Sequence, residues 1–246
     1  MTSWYNWVTF DMIGDLAVGE PFGCVDNAHD PPWVKLIFKH IKGMAIATAL
    51  IRYPFADSLA ALLTPKNVIN DIKNHWEFTE AQQISHKETL ANAHNLIVGG
   101  SETTTTALSG TTYLLATNRR ILRKLQDELR ANFNSEDEID FLSVQKPDYM
   151  MAVLHETLLI YPPVPSAIPR KAPPNGTTIR GEYIPPDTIL QIWQWPMFHN
   201  PKLFKDPERL IPERWLGDPE FASDRLEAAQ PFSVGPRNCI GKKFVS

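Results

Sequence analysis

Cysteine is nearly absent: Cys24 and Cys239 are the only two in 246 residues. Two thiols so far apart build neither a disulfide framework nor a cysteine-rich zinc site. A reduced, cytosol-facing setting follows. Excess positive charge is absent too: the net charge is -4 and no basic stripe appears, so no nucleic-acid partner is expected. No apolar run is long and clean enough for a transmembrane segment. Trp4, Tyr5, Asn6 and Asp11 interrupt the start, and Met44 to Leu63 contains Arg52, Pro54 and Asp57. That stretch is better read as amphipathic, serving as either a buried helix or a membrane-touching surface. The 7 histidines lack metal-ligand spacing, and Ser109-Gly110 lacks the flanks of a hydrolase nucleophile elbow. There is no internal repeat and no glycine-rich phosphate loop.

Proline is missing from the middle. Of 21 prolines, five precede residue 66 and sixteen lie from Pro147 onward. Proline breaks helix interiors, so the middle should be helical and the last hundred residues rich in loops. The pattern predicts one long helix over Glu88–Thr117, with Leu90, Ala93, Ile97 and Leu108 among its apolar positions. Its centre, Gly99 to Thr106, strings together weak helix formers and predicts a local distortion. A second helix, Arg119–Asn132, carries Ile121, Leu122, Leu125 and Leu129 on one face, and a third covers Asp148–Leu159 until Tyr161-Pro162-Pro163 stops it. Extended segments follow at Thr178–Ile184 and Thr188–Trp193. The expected organisation is a single partial domain over 1–246, mainly helical in 1–146 and loop-rich in 147–246.

The most specific pattern is Phe232-Ser-Val-Gly235-Pro-Arg237-Asn-Cys239-Ile-Gly241. A thiolate that ligates iron must stay deprotonated and shielded, which calls for nearby amide donors and an apolar cover. Gly235 and Gly241 let backbone amides turn toward the sulphur, Phe232 is placed to cover it, and Arg237 suits a carboxylate of the cofactor. A lone cysteine is more often an inert buried one. Five fixed positions within ten residues point to a ligand instead. This loop resembles that of the cytochrome P450 (cytochrome P-450) family.

Other residues match that family in order. Gly99-Gly100-Ser101-Glu102-Thr103-Thr104 resembles its oxygen-activation motif, in which Glu102 and Thr103 would relay protons, although a threonine-rich helix with a solvated glutamate looks the same in isolation. Pro212-Glu213-Arg214-Trp215 resembles the meander motif, with Arg214 and Glu156 as the implied structural core. Arg170 sits where the family often has a second haem-carboxylate contact; a plain surface arginine is the alternative reading. Phe10 to Leu16, Gly19 to Gly23 and Ser135 to Phe141 are similar to fungal secondary-metabolite enzymes of the isotrichodermin carbon-15 hydroxylase type. The resemblance implies a mainly α fold with minor β, haem b held through its iron by Cys239, and a monooxygenase. Such an enzyme hydroxylates a small lipophilic metabolite, for example a terpenoid, with dioxygen and electrons from NADPH through NADPH–cytochrome P450 reductase. The family's usual place is the cytosolic face of the endoplasmic reticulum; without an anchor this chain would be cytoplasmic or peripheral.

Three departures accompany these matches. The family's Glu-x-x-Arg pair reads Glu156-Thr-Leu-Leu159, with leucine in the arginine position. Glu156 should then have Arg214 alone, and losing one partner of a buried ionic network costs ~3–5 kcal/mol. The chain is about half the length of a whole member, so the expectation is a truncated one, without the anchor, the first β-strands or much of the helix after the cysteine loop. The stretch Trp76 to Glu88 is also short for the family. A catalytically inactive, haem-free remnant is therefore the alternative expectation.

Overall fold

The computed structural model describes residues 1–29, 87–140 and 142–242. The amphipathic stretch Met44–Leu63 and the polar run Thr79–His86 lie outside them, as does Phe141. The fold is mainly α with minor β, in two compact units, Met1–Glu102 and Thr103–Ser246.

In the first unit, helix α1 spans Thr2–Val18 and ends on Gly19, whose φ of 88° lets its N–H reach Asp15 O. The sequence reading had no helix here, because its tryptophans, tyrosine and threonines are indifferent helix formers without a clear apolar stripe. Tertiary contacts decide the matter. Phe10, Cys24 and Ile97 are buried together, with Trp7, Ile13 and Phe22 packed around them. The Asp11 carboxylate accepts the amides of Cys24 and Val25 at 2.9 and 2.8 Å, clasping the short helix α2 (Cys24–Asn27) against α1.

Helix α3 runs Lys87–Thr117 without a break, close to the predicted bounds. The weak helix formers of Gly99–Thr106 do not interrupt it. Ser101 Oγ bonds back to Ile97 O at 2.6 Å, so the hydroxyl satisfies itself on its own helix. The glycine has a packing reason: a Cβ on Gly100 would stand 2.7 Å from Ile13 Cδ1.

In the second unit, α4 (Arg119–Asn132) and α5 (Asp148–Ile160) follow the prediction closely. Ile121 and Leu125 of α4 share a core with Tyr149, Val153 and Ile160 of α5 and with Leu210. Glu128 caps α5 from outside, its two oxygens accepting the amides of Tyr149 and Met150 at 2.8 and 2.9 Å. A carboxylate on free amides at a helix N-terminus also opposes the helix dipole favourably.

Two small antiparallel pairs follow. Strand β1 (Arg170–Lys171) pairs with β4 (Ile189–Leu190), and β2 (Thr177–Ile179) pairs with β3 (Glu182–Ile184). The predicted single segment Thr178–Ile184 is thus a hairpin. Its two-residue turn, Arg180-Gly181, has φ of 52° and 88°, the left-handed pair that matches strand twist. The remainder to Lys242 is loops, the short helix α6 (Gln194–Phe198) and isolated 3-10 turns, as the proline content predicts. No helix among the described residues is long and apolar enough to cross a membrane.

Candidate functional site

A buried ion network joins α5 to the loops that follow it. Glu156 projects from α5 and is fully buried with Arg214, which sits on the 3-10 turn Pro212–Leu216. Arg214 Nε donates to both Glu156 oxygens, at 3.1 and 2.9 Å. Glu156 also accepts from the Ile211 amide at 3.0 Å and from Trp215 Nε1 at 2.7 Å. Arg214 turns Nη2 to Lys205 O at 2.9 Å and Nη1 to the Asp224 carboxylate.

This corrects the expectation that Glu156 has Arg214 alone. Each of the three guanidinium nitrogens finds an oxygen, and the glutamate collects an indole and an amide in place of a second arginine. Leu159, at the arginine position, is 1% exposed and packs with Phe198 and Phe204, with Trp215, Leu226, Ala228 and Ala229 alongside. Apolar packing fills the space, and Asp224 closes the network. Neither Asp224 nor the Trp215 indole was legible in sequence: each lies far from Glu156 along the chain, and no spacing rule links them.

Burial pushes the Glu156 carboxyl from 4.5 up to about 7, against the opposing pull of Arg214, the Trp215 indole and the Ile211 amide. A carboxyl raised in the folded state keeps its proton after the unfolded chain has lost it. Its contribution is therefore intact below about pH 4.5 and is lost as pH rises toward 7. Urea unfolding across that interval should show stability falling by roughly 3 kcal/mol from this group, and Glu156→Gln should flatten that slope. A slope unchanged by the substitution would disprove the assignment. Neighbouring His155, stacked on Trp215 at 5.1 Å between centroids, is shifted downward by burial and by Lys242.

From Asp224 the chain leads to the thiol. Gln194 Nε2 donates to Gln230 O at 3.4 Å, and the Cys239 amide donates to Phe232 O at 2.8 Å, folding the loop back on itself. Ser233 and Gly235, with φ of 61° and 75°, make the turn. Gly235 opens the 3-10 turn Gly235–Arg237 directly before Asn238 and Cys239. The Cys239 side chain is exposed, whereas Cys24 is buried. Its flanks are apolar and open: Val234 is 64% and Ile240 79% exposed. Phe232 is half-buried, and Arg237 is exposed with no ion pair among the described residues. A Cβ on Gly241 would meet Cys239 Sγ at 3.7 Å, an ordinary contact, so the glycine is not required there by crowding.

The other predicted residues sit on two further elements. Arg170 is exposed on β1, with Nη1 donating to Pro169 O at 3.1 Å. Glu102 and Thr103 are adjacent, half-buried positions of α3. An exposed thiol, uncovered apolar flanks and an unpaired guanidinium on one short loop suit a flat, apolar, carboxylate-bearing metal cofactor, so these residues fit a haem.

Residues 56–245 match the family model described as Cytochrome P450. A cytochrome P450 monooxygenase, astD, of Aspergillus oryzae is 41% identical over 270 residues, covering 99% of this chain and 52% of the relative. The averantin hydroxylase of Dothistroma septosporum is 39% identical, covering 99% and 51%. The trichothecene C-15 hydroxylase of Fusarium sporotrichioides is 39% identical, covering 98% and 55%. The chain spans about half the length of the curated relatives it matches. Matched by the family model over most of its residues, this chain belongs to the cytochrome P450 family.

Proposed function

We propose that the chain provides the haem-thiolate part of a fungal secondary-metabolism monooxygenase that hydroxylates a small lipophilic metabolite. The observation that carries this reading is the exposed Cys239 thiol, alone on a loop with open apolar flanks and an unpaired Arg237. Cys239 would hold the haem iron, and Arg237, with Arg170, would meet the haem carboxylates. Phe232, Val234 and Ile240 would keep water from the sulphur, and Gly235 and Gly241 keep the loop free of bulk. Glu102 and Thr103 would hold and pass the protons that the reaction consumes. When bound, the haem supplies activation of dioxygen with two electrons, which NADPH provides through a reductase. The relatives' names, averantin hydroxylase and trichothecene C-15 hydroxylase, support hydroxylation as the reaction.

The test is optical. The purified full chain is incubated with haemin, reduced, and treated with carbon monoxide. A Soret band at the thiolate position is the expected result. A chain that stays colourless overturns the reading and leaves the haem-free remnant.

A further inference from the structure

We propose that Asp224 is a positioning residue for the Cys239 loop, anchoring the segment that carries the thiol to the buried Glu156–Arg214 pair. The inference deepens the haem-thiolate reading, on which it rests for why the loop's position matters.

Asp224 is placed for this and for little else. Its carboxylate is 2% exposed, with Oδ2 on Arg214 Nη1 and Oδ1 accepting the Lys205 amide at 2.8 Å. Both oxygens are thus used, one on the buried ion network and one on the loop that carries Phe204. The next residue repeats the tie through its backbone, the Arg225 amide donating to Leu203 O at 2.8 Å. Beyond it Leu226, Ala228 and Ala229 pack against the Leu159, Phe198 and Phe204 cluster. Gln230 O then accepts from Gln194 Nε2 and from the Ser233 amide, and Phe232 O holds the Cys239 amide at 2.8 Å.

The run from Asp224 to Cys239 thus has a charged clamp at its start, an apolar patch in its middle and a backbone bond at its end. The strong end is the clamp. A buried carboxylate on a guanidinium and an amide outweighs the exposed contacts around Val234 and Ile240. Leu159 belongs to the same device: as an apolar residue in the arginine position it is part of the cluster against which Leu226, Ala228 and Ala229 pack. With leucine there, Arg214 is left two carboxylate partners, Glu156 and Asp224, and the second of them reaches the thiol segment.

The experiment is amide hydrogen exchange on the full chain without haem, so that it stands apart from whether the cofactor binds. Asp224→Asn should speed exchange at Arg225, Ser233 and Cys239 by roughly tenfold or more, as loss of a buried charged acceptor implies. The amides of Ile121 and Leu125 in α4 should keep their rates, and Asp224→Glu should recover part of the protection. If all these amides quicken together, Asp224 contributes only general stability and the proposal falls. It falls equally if the Cys239 amide is unmoved. Should Asp224→Asn fail to fold, Leu226→Ala loosens the same run from its apolar side. The Ser233 and Cys239 amides must then quicken ahead of α4, and their failure to do so overturns the proposal.

Discussion

At about pH 8, where the Glu156 carboxyl has lost its proton, Arg214→Met lowers the urea unfolding stability of the chain by ~3–5 kcal/mol, because it strands two carboxylates in the interior. Glu156 is fully buried and Asp224 almost so, and both direct an oxygen at this one guanidinium. The Lys205 carbonyl loses its Nη2 donor at the same time. Methionine is close in volume and fills the space, so the loss is electrostatic and not a cavity. A domain has only ~5–15 kcal/mol to lose, so the variant should be largely unfolded near body temperature. The control is Arg209→Ala, which breaks the exposed pair with Asp206 at 3.2 Å and should cost under about 1 kcal/mol. If both variants unfold at the same denaturant concentration, the buried network is not what holds this unit together.

What sequence shows and hides follows from how far each interaction reaches along the chain. Helices α3, α4 and α5 were legible because their determinants are local: no proline from Pro65 to Pro147, a clean apolar face at Ile121 and Leu125, and a proline pair after Tyr161. Helix α1 was not, because its residues are committed by Cys24, Phe22 and Ile97, which lie downstream of it. The weak helix formers at Gly99–Thr106 leave α3 unbroken for a related reason. Helix propensity is a weak prior, and Gly100 is there for contact with Ile13.

The candidate site divides along the same line. The Cys239 loop carried the family resemblance, since its pattern lies within ten consecutive residues. The cost assigned to Leu159 could not, because the compensation comes from Asp224 and Trp215, which only the folded chain brings to Arg214 and Glu156. A local motif with one letter changed looks broken in sequence. In three dimensions Glu156 and Arg214 still find polar partners for their charged groups.

Cys239→Ser should abolish the thiolate-type Soret band of the haem-loaded, reduced, carbon-monoxide-treated protein while leaving its unfolding midpoint nearly in place. The two effects separate because the side chain is exposed and serine differs by one atom. Surface changes of that kind stay within about 0.5 kcal/mol. The loop's own bonds use the Cys239 backbone, donating to Phe232 O, and are retained in the variant. A serine hydroxyl, with a proton far harder to remove than a thiol's, does not replace an anionic sulphur ligand. Cys24 offers no substitute: it is 1% exposed, enclosed by Phe10 and Ile97, and held by its amide to Asp11. Cys24→Ser should accordingly keep the band. Arg237→Ala should lie between the two, with the band present but haem lost more readily on dilution, because a carboxylate contact goes while the iron ligand stays. If the band survives in Cys239→Ser, another residue holds the iron, and the exposed loop loses the role that its thiol, its apolar flanks and its unpaired arginine together support.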